Sequence, residues 1–230
     1  MSVADAHTGL AQRPDIHSRP VVLYRWVVFL LAAGYSVYQL TTSDYGPTGG
    51  PFRFLTIWAL LASFYAASRM LALSERRSTA RHEVTAMVAS VLNGMVVILY
   101  WRLYFQDPAL VNQSGPVPWH QEYYLHVLGP ALQLFDAVVI GRVYRRVWRA
   151  ALVLVGVIAA YVAWAELFVA RFNDFPIGSV TSGLPYPFLN SMVWDDRLGF
   201  YGFNGVAALG LLVGFAGLGA AVNRLWPPAR

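Results

Sequence analysis

Apolar residues along this chain run in long, nearly unbroken stretches. They do not fall into the short alternating blocks of half-buried strands or the one-sided stripes of surface helices. A helix needs about 20 predominantly apolar residues to cross the hydrocarbon of a bilayer. Six stretches reach that length, over residues 21–40, 54–73, 84–105, 123–141, 150–170 and 201–225. The fourth is the most interrupted, by His126, Pro130, Gln133 and Asp136. This pattern predicts an all-α fold, a polytopic membrane protein built as a six-transmembrane-helix bundle. The bundle occupies residues 20–226, after a flexible cytoplasmic tail over 1–19 and before a short cytoplasmic end, 227–230. The first apolar run is too long for a signal-peptide core and no small-residue cleavage site follows it, so it reads as a retained membrane helix.

The arginines alternate with the same rhythm. Arg13, Arg19 and Arg25 flank the start of the first span; Arg69, Arg76, Arg77 and Arg81 lie at the second connection; Arg142, Arg145, Arg146 and Arg149 fill the fourth. Arg224 and Arg230 end the chain, and the opposite side keeps only Arg53, Arg102, Arg171 and Arg197. By the positive-inside rule both termini are cytoplasmic, and the connections 41–52, 106–122 and 171–200 face outward. The last is long and dense in aromatic and turn residues. It reads either as an interfacial aromatic belt or as a lid over the outer mouth.

Composition sharpens this picture. Hydrophobic residues make up 57% of the chain and charged residues 13%, where soluble domains carry about 25% charged. The net charge of +5 and pI near 9.6 follow from the arginine belt, which suits anionic lipid; no nucleic-acid partner is expected. Every basic residue is Arg, and there is neither Lys nor Cys. That usage points to a GC-rich bacterial genome, hence the plasma membrane of a bacterium. Without Lys no retinal or pyridoxal aldimine can form. Without Cys there is no disulfide, thiolate metal site or cysteine nucleophile. No metal-spaced His cluster, phosphate loop or nucleophile elbow occurs, so no metal or cofactor is expected. The glycines of the last span allow close packing inside the bundle, and the oligomeric state stays open.

Ionisable groups inside hydrocarbon are costly and are functional candidates by default. They are His126, Asp136 and Glu166, with Arg25, Arg69 and Arg102 nearer the span ends, where snorkelling to the headgroups is the ordinary reading. His7 and His17 fall in the tail. Asn93 and Asn204 read as interhelical hydrogen-bonding groups. Thr56, His126 and Glu166 each lie near the outer end of a span, so they can meet in one layer if the second, fourth and fifth helices are neighbours. His126, Gly129, Pro130, Gln133 and Asp136 recur at three- and four-residue steps and share one helix face. Pro130 frees the carbonyl of His126 and bends the helix there. A hydroxyl beside an imidazole is the pairing needed for nucleophilic catalysis, with Glu166 or Asp136 orienting the ring. The plain alternative is a Thr bonded to its own helix and a structurally paired His.

Several short motifs then add up. Gly49-Gly50-Pro51-Phe52-Arg53-Phe54-Leu55-Thr56 resembles the start of the second helix in the androgen-induced gene 1 family, which includes the androgen-dependent TFPI-regulating protein and bacterial six-helix members. Trp101, Tyr104 and Asp107 resemble a Trp-x-x-Tyr-x-x-Asp motif of that family. Trp119 precedes His126 as a Trp precedes the family's fourth-helix histidine. Tyr161 and Trp164 match a Tyr-x-x-Trp, and Tyr186-Pro187-Phe188-Leu189 a Tyr-Pro-Phe-Leu in the last outer loop. The similarity covers about residues 49–189. It implies an integral-membrane hydrolase of fatty acid esters of hydroxy fatty acids, with Thr56 as nucleophile and His126 as base. Glu166 has no acidic counterpart in the animal member compared, and the spacing from His126 to Pro130 is one residue shorter.

The expected site is therefore Thr56 and His126 as the catalytic pair, acting on a lipid or acyl ester that enters from the outer leaflet. Trp119, Tyr123, Gln133, Trp164 and Glu166 are the candidate binding residues. Trp119, Tyr123 or a backbone N–H of the bent helix is the candidate oxyanion donor. Two other readings remain: a non-catalytic membrane binder or sensor of lipids or small molecules, and a transporter relying on Asp136.

Overall fold

The computed structural model describes residues 14–112 and 117–227. Most of the expected flexible tail, His7 with it, and residues 228–230 lie outside the described residues. Six helices are long and apolar enough to cross a membrane: α1 (Arg19–Thr42), α2 (Leu55–Ser74), α3 (Glu83–Tyr104), α4 (Trp119–Ile140), α5 (Val147–Phe172) and α6 (Trp194–Leu225). Connections 2–3 and 4–5 lie at the end of the bundle where α1 starts and α6 finishes, its terminal end. Connections 1–2, 3–4 and 5–6 lie at the opposite end. The spans match the apolar stretches, with two differences at their starts. α6 begins before its apolar run because Asp195 and Asp196 occupy its first turn, where carboxylates are favoured by the unpaired N–H groups. The charges that lower the local hydropathy are thus a helix-start signal. α4 also begins earlier, at Trp119, which puts His126 roughly 10 Å along the helix at 1.5 Å per residue.

α3 is the central helix. In its apolar window 61% of residues are buried, against 17% for α5 and 22% for α6. α2, α4, α5 and α6 pack on it, and α1 closes the ring against α2 and α4. The core is built on Met87, Val91 and Met95 of α3, with Ala137 from α4, Leu154 from α5 and Leu212 from α6. Asn93 ties α3 to α2, its Nδ2 donating to Ser63 Oγ at 2.6 Å. Asn204 does not bridge helices, for its Nδ2 donates to the Phe200 carbonyl of its own helix at 2.8 Å.

Three turns widen to π geometry, at Tyr124–Leu128 and Asp136–Ile140 in α4 and at Ala165–Val169 in α5. Each contains one of the ionisable candidates: His126 and Asp136, which are buried, and the partly buried Glu166. A π turn inserts one residue into the helix, re-aims the side chains and loosens the backbone ladder. Pro130 contributes to the first, since it has no N–H to return to the His126 carbonyl.

The terminal end of the bundle is closed by an ion pair. Arg25 does not snorkel; it is 1% exposed. Its Nη2 lies 2.7 Å and its Nε 3.0 Å from the Asp136 carboxylate. Its Nη1 donates to the Met70 carbonyl at 2.9 Å and to Ser74 Oγ at 2.7 Å. Ser74 Oγ donates in turn to the Ile16 carbonyl at 2.6 Å, and His17 Nδ1 lies 3.0 Å from the Ser74 carbonyl. The stretch that includes His17 is thus docked rather than loose. Arg69 and Arg102 lie nearer the surface, Arg69 over the Tyr65 ring.

Breaking one partner of a buried ion pair leaves an uncompensated charge, which costs about 3–5 kcal/mol. Asp136→Ala should lower stability by that amount in a thermal or denaturant melt in detergent. The double change Arg25→Leu with Asp136→Leu should recover most of the loss.

Candidate functional site

The site is built at the opposite end, beginning with the turn that feeds α2. Gly49 and Gly50 have φ of +87° and +46°, where a Cβ is strained. A Cβ on Gly49 would stand 3.2 Å from the Trp164 ring, and one on Gly50 2.9 Å from the Tyr45 ring. The glycines let the chain turn tightly into the 3-10 segment Gly50–Arg53. α5 clamps that segment: Tyr161 Oη donates to the Arg53 carbonyl at 3.0 Å and Trp164 Nε1 to the Phe52 carbonyl at 3.2 Å. Tyr186 of the last loop accepts from the Leu55 N–H at 3.3 Å. Burial pushes the Tyr186 phenol above its ordinary pKa, so it stays a neutral hydroxyl. These contacts fix Thr56, the second residue of α2, at the wall of the cavity described below. Its hydroxyl has no hydrogen-bond partner among the described residues, unlike the Ser63 hydroxyl further along α2, which donates to the Ala59 carbonyl at 2.9 Å. Thr56 lies too near the helix start to make that bond inside α2.

His126 is fixed from three sides. Its ring stacks on Tyr100 of α3, with centroids 3.4 Å apart and planes 6° apart. Its carbonyl, freed by Pro130, accepts from Trp101 Nε1 at 3.0 Å. Its Nδ1 lies 3.1 Å from the Glu122 carbonyl oxygen. A carbonyl can only accept, so Nδ1 carries the proton and Nε2 the lone pair. Tyr100 is itself held, its hydroxyl donating to the Glu122 carboxylate and accepting from Asn112 Nδ2 at 3.3 Å.

Thr56 and His126 border one cavity of about 300 Å³, within the usual size range of small-molecule sites. Its walls come from all six helices and the last loop, and they are mostly apolar: Leu92, Val96, Leu99, Ile158, Phe188 and Phe200 among others. The polar groups on it are few, including Gln39, Thr56, Tyr100, Asn112, His126 and Asn204. Thr56 also borders a gap of about 10 Å³ shared with Leu125, Gly129 and Pro130, so the start of α2 faces the bent part of α4. The long loop is a wall of this cavity, through Pro185, Tyr186, Phe188 and Leu189. It is anchored by Asn190, whose Oδ1 accepts from the Leu184 N–H and whose Nδ2 donates to the Leu184 carbonyl, each at 3.0 Å.

The other expected residues lie elsewhere. Trp119 and Tyr123 are exposed, at 74% and 57%, on the outward side of α4 and off the cavity lining; neither is placed to serve as an oxyanion donor. Gln133 is buried deeper in α4 and also off the lining. Trp164 acts one layer out, on the turn before Thr56. Glu166 does not orient His126. It pairs with Arg197 at 3.0 Å and accepts from Tyr201 Oη at 2.7 Å, joining α5 to α6. Asp136, a further candidate for orienting the ring, is occupied by Arg25 at the other end. The carbonyl of Glu122, four residues before His126 on its own helix, takes the orienting role. Sequence reasoning passed over Gln39, Tyr100, Asn112 and Glu122. Of these, only Tyr100 stands beside a recognised residue, Trp101, which is the one signal that marked it.

An apolar cavity inside a six-helix bundle, with a hydroxyl and a tautomer-fixed imidazole on its wall, defines a membrane protein with a candidate site near one end of its bundle. A family model for FAR-17a/AIG1-like protein matches residues 21–220, and the chain belongs to that family. No curated protein and no solved structure matches the chain. The residues that carried the resemblance largely converge on this one place. Gly49, Gly50, Tyr161, Trp164 and Tyr186 shape the start of α2, and Trp101 holds the backbone of His126.

A non-glycine residue forced into a sparsely populated backbone region costs about 1–3 kcal/mol. Gly49→Ala should lose about that much in a melt. It should also disturb the site, seen as weaker ligand-induced stabilisation by a long-chain ester.

Proposed function

We propose that this protein is an integral-membrane hydrolase of lipid or acyl esters, with Thr56 as nucleophile and His126 as general base. The observation that carries the reading is an apolar cavity bordered by a hydroxyl with no partner among the described residues and by an imidazole whose Nε2 holds the lone pair. Family membership supports it through the resemblance to hydrolases of fatty acid esters of hydroxy fatty acids. The acyl chain lies along the apolar walls and the ester carbonyl sits beside Thr56.

Thr56 Oγ adds to the carbonyl carbon as His126 Nε2 takes the hydroxyl proton. The tetrahedral adduct then expels the alcohol, which leaves with that proton returned from His126. Water attacks the acyl-Thr56 ester with His126 again accepting the proton, and collapse releases the fatty acid and restores the Thr56 hydroxyl. The Glu122 carbonyl keeps the ring in the required tautomer and accepts a stronger hydrogen bond while the ring is cationic. By the positive-inside rule the arginine belt favours a cytoplasmic terminal end, and in that orientation substrate enters the cavity from the outer leaflet. No cofactor enters these steps.

General acid–base catalysis by a positioned side chain contributes about 10²–10⁴-fold. Purified protein in detergent should hydrolyse a long-chain ester; His126→Gln should lose rate within that range, and Thr56→Ala should lose it at least as far. Thr56→Ala should also lose labelling by a fluorophosphonate probe. Full labelling of Thr56→Ala contradicts the reading. Ester-dependent stabilisation of the wild type without product supports the binder reading instead.

A further inference from the structure

Gln39 sits in the last turn of α1 and lines the cavity together with Thr56, Pro51 and Phe54. It is 7% exposed, and its Nε2 has no hydrogen-bond partner among the described residues. Three hydroxyls near it in sequence donate elsewhere: Ser36 to the Ala32 carbonyl, Thr42 to the Tyr38 carbonyl and Tyr45 to the Leu40 carbonyl. A buried amide donor beside an apolar cavity is disfavoured unless something in the cavity accepts from it.

A second donor stands at the same rim. The α2 cap residue Phe54 offers no side-chain acceptor. The Leu55 N–H is taken by Tyr186 and the Ile57 N–H by the Phe54 carbonyl. The Thr56 N–H has no partner among the described residues. It lies at the positive end of the α2 dipole, which favours negative charge.

We propose that Gln39 is the carbonyl-binding residue of this site. Its Nε2–H and the backbone N–H of Thr56 are the two donors for the acyl oxygen of the bound ester. The pair strengthens as that oxygen gains charge on attack, which makes it the oxyanion hole that Trp119 and Tyr123 are too far out to provide. Two neutral donors amid apolar walls select an uncharged acyl carbonyl with a long alkyl chain over a hydrocarbon lacking the oxygen. The catalytic consequence rests on the hydrolase reading; the recognition of a carbonyl does not.

The test uses Gln39→Met, which keeps length and apolar packing, and Gln39→Leu as a second variant, each checked by its melting transition. Loss of one oxyanion donor costs about 10²–10³ in kcat, and p-nitrophenyl laurate should show that loss with KM raised by no more than about tenfold. In a Thr56→Ala background, methyl laurate should bind about tenfold more weakly to the Gln39 variants, as loss of one hydrogen bond predicts. Dodecane should bind them unchanged. Carbonyl-selective binding that needs Gln39, in a protein without turnover, upholds the inference and defeats the hydrolase reading. Thr56-dependent turnover with kcat and methyl laurate binding untouched by either Gln39 change upholds that reading and overturns the inference.

Discussion

The proposed chemistry depends on one hydrogen bond, from the Nδ1–H of His126 to the carbonyl of Glu122 on its own helix. It decides which nitrogen is basic without a carboxylate in contact with the ring. A buried carboxylate there would bring its own desolvation cost into a mostly apolar pocket. The helix makes the arrangement possible by deforming. The Gly129 N–H reaches back to the Tyr124 carbonyl across a π turn, and Pro130 leaves the His126 carbonyl to Trp101. Tyr100 then covers one face of the ring, so the imidazole is constrained in plane and tautomer while Nε2 has no hydrogen-bond partner among the described residues.

The two ends of the bundle divide stability from function. At the terminal end, Arg25 and Asp136 satisfy one another with help from Met70 and Ser74. A solute path through Asp136 would have to break that pair, so the transporter reading loses its main support. At the other end the helices stand far enough apart to leave a cavity. The gap is kept by local clamps, not by filling: Tyr161 and Trp164 on the α2 turn, Glu166 on Arg197 and Tyr201, and Asn190 on Leu184. The central helix α3 serves both ends, with Met87 and Val91 in the packed core and Tyr100 in the cavity wall.

Much of this was legible in the sequence for definite reasons. Six apolar runs of spanning length leave no other fold, and Thr56 and His126 stood out because polar groups are rare in such runs. Pro130 marked the deformation of α4. What was hidden was partnership. Arg25 and Asp136 are separated by two intervening helices, and only their spatial meeting turns a snorkelling arginine into a buried ion. Glu166 read as a site carboxylate because Arg197 was counted with the loop, although it belongs to the first turns of α6. Tyr100 resembled ordinary core, and Gln39 resembled a polar residue at a span end. Their importance lies in what their atoms do or do not bond, which a linear pattern does not record.

The central claim is that Thr56 carries the acyl group during turnover. Mass spectrometry of the protein, acid-quenched during hydrolysis of a long-chain ester and then proteolysed, addresses this directly. The account predicts an acyl mass on the peptide containing Thr56, at the threonine oxygen. Turnover with Thr56 unmodified and the acyl group on another side chain would contradict it.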